Sequence, residues 1–353
     1  MTNYENRNLR FAVIGSGHIG KRHAEMIRRN PEAELLALCD VKPASALNLK
    51  EYSDIPFFNS VDEMLNALPD IDVVSVCSPN GLHAEHSLKA LEFRKHVVCE
   101  KPMAITKADC EKIIYKALQV SRHVFGVMQN RYSPPSAWLK EIVEKKLMGE
   151  IYMVQLNCFW NRDDRYYKAD TWKGSSNLDG GTLFTQFSHF IDIMYWVFGD
   201  ITDINGVFAD FNHKETTAFE DSGLVNFRFV NGGMGSLNYS TSVWDTNLES
   251  SITVIGSKGS IKIGGQYMNE VVYCHIDGYE LPHLPPVNPA NDYGAYKGSA
   301  ANHHYIIENV IDTLKGRNTM TTNALEGLKV VEIIERIYSL RKLNKPEIRY
   351  PNV

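Results

Sequence analysis

The sequence predicts an α/β chain in which a doubly wound parallel sheet is followed by a second α+β domain with a mostly antiparallel open sheet. Three observations predict it. Short apolar runs that lack polar alternation are interleaved with helical patterns up to about residue 128. A glycine triplet, Gly15, Gly17 and Gly20, stands in the first strand-to-helix turn. After residue 150, strand-like runs alternate apolar with polar and are joined by hairpin signals.

In the first domain, 1–128, the strands are expected at Leu9–Ile14, Leu35–Cys39, Val73–Cys77, His96–Cys99 and Val124–Met128. Helices are expected at Ile19–Arg29, Val61–Leu68, Leu82–Phe93 and Lys107–Val120. Strands buried on both faces need helices on both sides, which is the doubly wound arrangement. In the second domain, 129–353, Ile151–Trp160, Leu224–Val230, Met234–Tyr239, Ile252–Ile255 and Ser260–Ile263 read as strands. Asn231-Gly232-Gly233 and Ser257-Lys258-Gly259 read as hairpin turns. Helices at about 305–314 and 324–340 close the chain.

The 353 residues are 44% hydrophobic and 22% charged, the balance of a soluble globular protein of about two domains. Thirty-seven basic and 42 acidic side chains give a net charge of -5. That balance, with the basic residues scattered, makes no electrostatic case for nucleic acid or an anionic membrane. No apolar run is long enough to span a bilayer, and the polar start MTNYENRNLR lacks a signal-peptide core. Six cysteines lie far apart without metal-ligand spacing, so neither disulfides nor a metal site is expected. A cytoplasmic location is the expectation.

In FAVIGSGHIGKRHAEMIRR the first glycine permits a tight turn and the second lets backbone approach a pyrophosphate. The third packs helix on strand. The helix N-terminus, with His18 and Ile19 between the glycines, would hold the anion through backbone N–H groups. Twenty residues after Gly20, Asp40 closes the second strand, where a carboxylate takes the adenosine ribose hydroxyls. NAD is therefore the expected cofactor and the domain is Rossmann-type, although Lys42 leaves room for NADP. Ser78, Pro79, Asn80 and His83 follow another strand on the same edge and are expected to line the crevice. For His83 a plain helix-start reading stands equally.

HVVCEKPMA puts Glu100, Lys101 and Pro102 at the carboxyl end of the next strand. A lysine there can stabilise a developing alkoxide or relay its proton, and Glu100 is expected to tether the ammonium. In DGGTLFTQFSHFIDIMYWVFG, Leu183, Phe187, Phe190, Ile191, Met194 and Phe198 form an apolar stripe at helical spacing. Thr185, His189, Asp192 and Trp196 are expected on the opposite face with Gln186 beside it, and His189 is the natural general base.

The early glycine triplet, the strand-end Glu-Lys-Pro and the GG-x(7)-H-x-x-D helix together resemble the glucose–fructose oxidoreductase/inositol dehydrogenase (Gfo/Idh/MocA) family over essentially the whole chain. The resemblance implies that Lys101 and His189 flank a sugar hydroxyl that gives hydride to nicotinamide. Many members carry an aspartate four residues before the histidine, where this chain has Thr185. MQNRYSPP, IYMVQLNCFWNRDDRYY, DTWKGSSNLDGGTLFTQFSHFIDIMYW and NLESSITVIGSKGSIKIGG are similar to one branch, the UDP-N-acetyl-2-amino-2-deoxyglucuronate 3-dehydrogenases. That similarity implies NAD-dependent oxidation of a UDP-sugar at C3 in surface-polysaccharide synthesis, with a sugar aminotransferase acting next.

The resemblance implies that Glu100, Lys101, Gln129, Trp172 and Lys173 join the cofactor residues, and Lys101, Asn130, Thr185, Gln186 and His189 the substrate residues. Arg131, Arg162 and Arg165 can meet pyrophosphate or carboxylate, while Trp160, Tyr166 and Tyr167 offer stacking surfaces. A solvated connection at 160–167 is the alternative. His303, His304 and Tyr305 either reach substrate or begin an exposed helix. Val225, Phe227, Phe229, Leu237 and Tyr239 are read as apolar residues on both sheet faces, which predicts a homotetramer packed through that sheet. An NAD-dependent glycosidase working through transient C3 oxidation, a generic polyol dehydrogenase and a silent NAD-binding regulator are the competing readings.

Overall fold

The computed structural model describes residues 4–168, 171–294, 296–342 and 348–349. In the first unit the strands are β1 (Leu9–Ile14), β2 (Ala33–Cys39), β3 (Phe57–Phe58), β4 (Val73–Val76), β5 (His96–Cys99) and β6 (Val124–Gly126). The helices between them are α1 (His18–Arg29), α2 (Val61–Ala67), α3 (His83–Glu92) and α4 (Lys107–Val120). All neighbours in the sheet order β3-β2-β1-β4-β5-β6 run parallel. Every residue of β4 and β5 is buried, which is why these runs lack polar alternation.

Local chemistry sets the helix ends. Thr106 accepts the Asp109 N–H at 3.1 Å to cap α4, which stops at Ser121 in the left-handed region. α1 carries Arg28 and Arg29 in its last turn, where the helix dipole favours cations.

The second unit begins with α5 (Pro134–Glu144), which has proline at its first turn, followed by β7 (Ile151–Phe159) and α6 (Ser188–Phe198). β8 (Ile201–Ala209), β9 (Ser222–Phe229), β10 (Met234–Ser240), β11 (Glu249–Gly256), β12 (Gly259–Gly264) and β13 (Glu270–Ile276) complete a seven-stranded sheet. Its order is β13-β12-β11-β7-β10-β9-β8, and only β7 and β10 run parallel. β14 (Ala290–Asp292) and β15 (Lys297–Ala300) make a separate small ladder.

One face of the large sheet packs on α6 and the turn before it, as in the ring pairs Phe198–Phe229 at 5.6 Å and Phe187–Tyr239 at 6.0 Å. Val225, Phe227, Phe229, Leu237 and Tyr239 all lie buried on that face, which corrects the expectation that they occupy both. The other face presents Met153, Leu224, Met234, Val207 and Ile255 among polar neighbours.

The single boundary at 128 is also corrected. α7 (His303–Leu314) and the first part of α8 (Ala324–Tyr338) belong to the first unit, which spans the residues up to Val127 together with His303–Val331. Glu32 explains part of this, because it pairs with Lys315 at 2.6 Å and Arg317 at 2.5 Å. Gly126 also donates its N–H to the Thr322 carbonyl at 3.0 Å.

Candidate active site

In the first unit, β1 and β4 lie side by side while the chain leaves them toward opposite halves of the sheet, so their carboxyl ends open a crevice. Gly15 leaves β1 at φ +87°, and a Cβ there would meet the Cys77 carbonyl carbon at 2.6 Å. A Cβ on Gly20 would come within 1.8 Å of the Gly15 oxygen, whereas one on Gly17 would meet nothing within 4 Å. The turn is thus closed on its protein side and open where a pyrophosphate would approach.

Asp40 accepts the Ser16 N–H at 2.8 Å and the Lys42 N–H at 2.9 Å, so its carboxylate is fixed beside the glycine turn. These residues fit NAD. The open backbone at Gly17 and the first turn at His18 and Ile19 would take the pyrophosphate, and Asp40 would take ribose hydroxyls.

Ser78 and Pro79 are half-buried beyond β4, and Asn80 is buried. His83 is 1% exposed, with Nδ1 at 2.6 Å from the Pro102 carbonyl and Nε2 at 2.7 Å from the Ser78 carbonyl. Burial pushes its pKa down against those two carbonyls. It ties two strand-end loops together rather than lining the crevice.

Glu100 is corrected in the same way. Its carboxylate takes His23 Nε2 at 2.9 Å and His303 Nε2 at 3.5 Å on one oxygen, and the Lys101 backbone N–H at 3.1 Å on the other. It is buried, and the two imidazoles hold its pKa well below the usual carboxylate range despite that burial. Glu100 thus anchors the backbone that carries Lys101, instead of tethering the ammonium. His303 is consumed in this cluster, while His304 and Tyr305 stay partly exposed at the helix start. The Lys101 side chain is half-buried, and the Lys101–Pro102 peptide is cis.

In the second unit, Leu183–Phe187 form a π-helical turn that runs into α6. Such wide turns occur frequently at functional sites. The expected two-faced helix is corrected, because His189 is 3% exposed and Asp192 is fully buried alongside the apolar stripe. Asp192 receives Arg131 Nε at 2.8 Å and Nη2 at 2.6 Å, so Arg131 is locked inside and does not reach for a ligand. Beside it, Asn130 accepts the Ser299 hydroxyl at 2.5 Å, and Gln129 offers its carbonyl to Asn302.

Arg162 is also buried. It donates to Gln186 at 2.7 Å and to the Asn161, Asn247 and Lys297 oxygens, and lies over the Trp160, Tyr166 and Tyr296 rings. Trp160 gives its indole N–H to Ser250 at 2.8 Å. Tyr166 and Tyr167 pack with Phe219. These aromatics form a wall, not exposed stacking surfaces. Lys173 stands 3.7 Å from the centre of the Tyr166 ring and 3.2 Å from the Tyr296 hydroxyl, and burial lowers its pKa to about 8. Trp172 is half-buried and gives its carbonyl to the Ser175 hydroxyl at 2.6 Å.

Of the three arginines only Arg165 keeps an accessible guanidinium, 45% exposed and braced by Asp163 at 2.7 Å and Asp245 at 3.4 Å. It borders a cleft of about 370 Å³ with Asn161, His213 and Trp244. Trp244, 91% exposed, was missed in the sequence. The available signal was a lone tryptophan in the polar run TSVWDTN, where a core aromatic has no reason to stand. Tyr296 and Asp179 were missed as well.

A parallel sheet whose switch point carries this open glycine turn and fixed carboxylate is that of an NAD-dependent oxidoreductase. Comparison with known proteins narrows the class. Residues 9–127 match the family described as oxidoreductase family, NAD-binding Rossmann fold, and residues 137–262 match the GFO/IDH/MocA C-terminal domain. The WlbA dehydrogenase of Chromobacterium violaceum, solved with NADH and UDP-GlcNAcA, is 31% identical. The match covers 96% of this chain and 95% of that one, with a TM-score of 0.84. The Bordetella pertussis WlbA dehydrogenase, in complex with the same two ligands, is 29% identical over 95% and 96% of the two chains, also at 0.84. D-glucoside 3-dehydrogenase of Escherichia coli is 28% identical over 350 residues, 94% of each chain. The chain belongs to the Gfo/Idh/MocA family of NAD-binding sugar oxidoreductases.

Proposed function

We propose that this protein oxidises the C3 hydroxyl of a UDP-N-acetylated sugar, UDP-N-acetylglucosaminuronate, to the 3-keto sugar. The observation that carries the reading is the end-to-end similarity to two dehydrogenases crystallised with NADH and UDP-GlcNAcA. Arg165 and Trp244, an accessible cation and an exposed aromatic at one cleft, suit the phosphate and base of a nucleotide better than they suit a free hexose.

The chemistry that bound NAD would supply is a hydride acceptor. The chain's own residues then handle the proton. The hydroxyl must lose it as hydride departs, and Lys101 offers an ammonium donor to the developing oxyanion while His189 accepts the proton. Glu100 contributes by holding the backbone of Lys101. The protein acts in the cytoplasm as a homotetramer assembled through the open face of the large sheet. Its product, a 3-keto nucleotide sugar, is a substrate for a sugar aminotransferase in surface-polysaccharide synthesis.

The similarity to the D-glucoside 3-dehydrogenase favours a second reading, C3 oxidation of a glycoside without a nucleotide. Incubation with NAD and a panel of UDP-sugars, free glucosides and inositol separates the two, with NADH followed by absorbance and the keto product by mass spectrometry. Turnover confined to UDP-sugars is expected. Equal or faster turnover of a free glucoside or inositol would overturn the nucleotide-sugar reading.

A further inference from the structure

Asp179 lies ten residues before His189, fully buried at the end of the 171–179 loop. One carboxylate oxygen accepts the Gly174 N–H at 2.7 Å and the other accepts the Thr185 hydroxyl. The Thr185 oxygen also stands 3.2 Å from the Asp179 carbonyl. Both acceptors lie on the protein side of Thr185, yet Thr185 itself is the one residue of 181–190 that is not buried.

A threonine hydroxyl has one proton and two lone pairs. With the proton committed inward to a carboxylate, the oxygen can only accept from whatever lies outside. We propose that Asp179 is a positioning residue: it takes the Thr185 proton and so presents the Thr185 oxygen as an acceptor for a hydroxyl or N–H of the substrate, one turn before His189.

The inference rests on the proposed placement of substrate at His189. It also answers the departure noted in the sequence. Where many relatives carry an aspartate four residues before the histidine, this chain carries a threonine backed by an aspartate six residues further up.

The arrangement is sensitive to pH. Burial pushes the Asp179 carboxyl up to about 6, against the Thr185 hydroxyl, the Gly174 and Gly181 N–H groups and Lys173. Lys173, Tyr166 and Tyr167 are titratable groups that act electrostatically on it; burial lowers Lys173 to about 8 and raises both tyrosines. As pH falls through about 6, Asp179 gains a proton and can donate to Thr185. Thr185 then accepts from Asp179, which takes up one of its two lone pairs and frees its hydrogen for the Asp179 carbonyl or the outside, so the outward acceptor is weakened.

Steady-state kinetics of the full-length enzyme test this on the sugar alcohol that the wild type oxidises best, across about pH 5 to pH 9. Wild-type KM should rise as pH falls through about 6. Asp179→Asn, whose amide can donate to Thr185, should raise KM about tenfold at neutral pH with kcat changed less than about threefold, and should abolish the acid rise in KM. Thr185→Val should behave likewise, and Thr185→Ser should stay near wild type. If Asp179→Asn does not fold, the Thr185 pair decides alone.

An unchanged KM in Thr185→Val, or a persistent acid rise in a folded Asp179→Asn, would overturn the proposal. A role confined to bracing the loop would move Tm and leave the KM profile alone. Wild-type turnover of free polyols but not of UDP-sugars would sink the nucleotide-sugar reading while leaving this test intact. A wild type that oxidises no sugar alcohol would overturn both.

Discussion

Arg131 and Asp192 form a two-pronged ion pair, Nε to Oδ2 at 2.8 Å and Nη2 to Oδ1 at 2.6 Å, with neither side chain more than 1% exposed. The Arg131 guanidinium also lies over the Trp196 ring at 5.2 Å. A charge that deep is tolerable only when its partner is present. Arg131→Ala should therefore destabilise the fold by about 3–5 kcal/mol, read as a drop in Tm and in the urea midpoint. The pair Arg131→Met with Asp192→Leu should recover much of that loss. A soluble Arg131→Ala of wild-type Tm with only a raised KM would return the arginine to the ligand-binding residues.

Asp40 is expected to govern cofactor choice. Its carboxylate is already pinned by two backbone N–H groups and would repel a 2′-phosphate. The wild type is expected to prefer NAD, and Asp40→Ala should weaken NAD while narrowing the gap to NADP. Titration of both reduced cofactors by fluorescence checks this, and tighter NADP binding by the wild type would refute the ribose role of Asp40.

Lys101→Met preserves length and removes the donor. It should keep near-normal NADH affinity and folding while kcat falls by about two orders of magnitude or more. His189→Ala should do the same, although its side chain is buried and some stability will go with it. The double variant should lose less than the product of the two, because in the proposed mechanism both residues act on one proton. Undiminished turnover by Lys101→Met would leave the lysine without a chemical role.

Arg165 is the arginine whose removal should register in substrate affinity. It is 45% exposed, so its ion pairs with Asp163 and Asp245 contribute little to stability. Arg165→Ala should raise KM for a UDP-sugar about tenfold or more, with kcat and Tm nearly unchanged. Trp244→Ala should act in the same direction through lost stacking. A KM that stays at the wild-type value in both variants would move the nucleotide end away from this cleft.

Much of the first unit was legible along the chain. The expected bounds of β1, β5 and α4 coincide with the observed ones. These elements are specified by short-range features: a run of β-branched and apolar residues, a Thr–Asp cap, a left-handed stop. The glycine turn and Asp40 were legible for a similar reason, since their geometry follows from residues that have no alternative there. The helix at Pro134–Glu144 and the strand at Ile201–Ala209 were missed. The first opens on two prolines, and the second places Asp203 and Asn205 among its apolar residues, so neither reads cleanly at one period.

The sequence by itself determined the fold class and the dinucleotide turn, and it singled out Lys101 and His189 as the candidates for the proton chemistry. The tertiary structure decided which polar groups remain available to a ligand. Arg131 finds its counter-charge 61 residues away and Glu100 finds His23 77 residues away. Arg162 disappears under three rings, and Arg165, three positions on, stays accessible. Local spacing cannot distinguish these cases. A buried charge has to be paired or hydrogen-bonded wherever the packed chain brings a partner, and that meeting is set by long-range packing and desolvation, not by the neighbours in sequence.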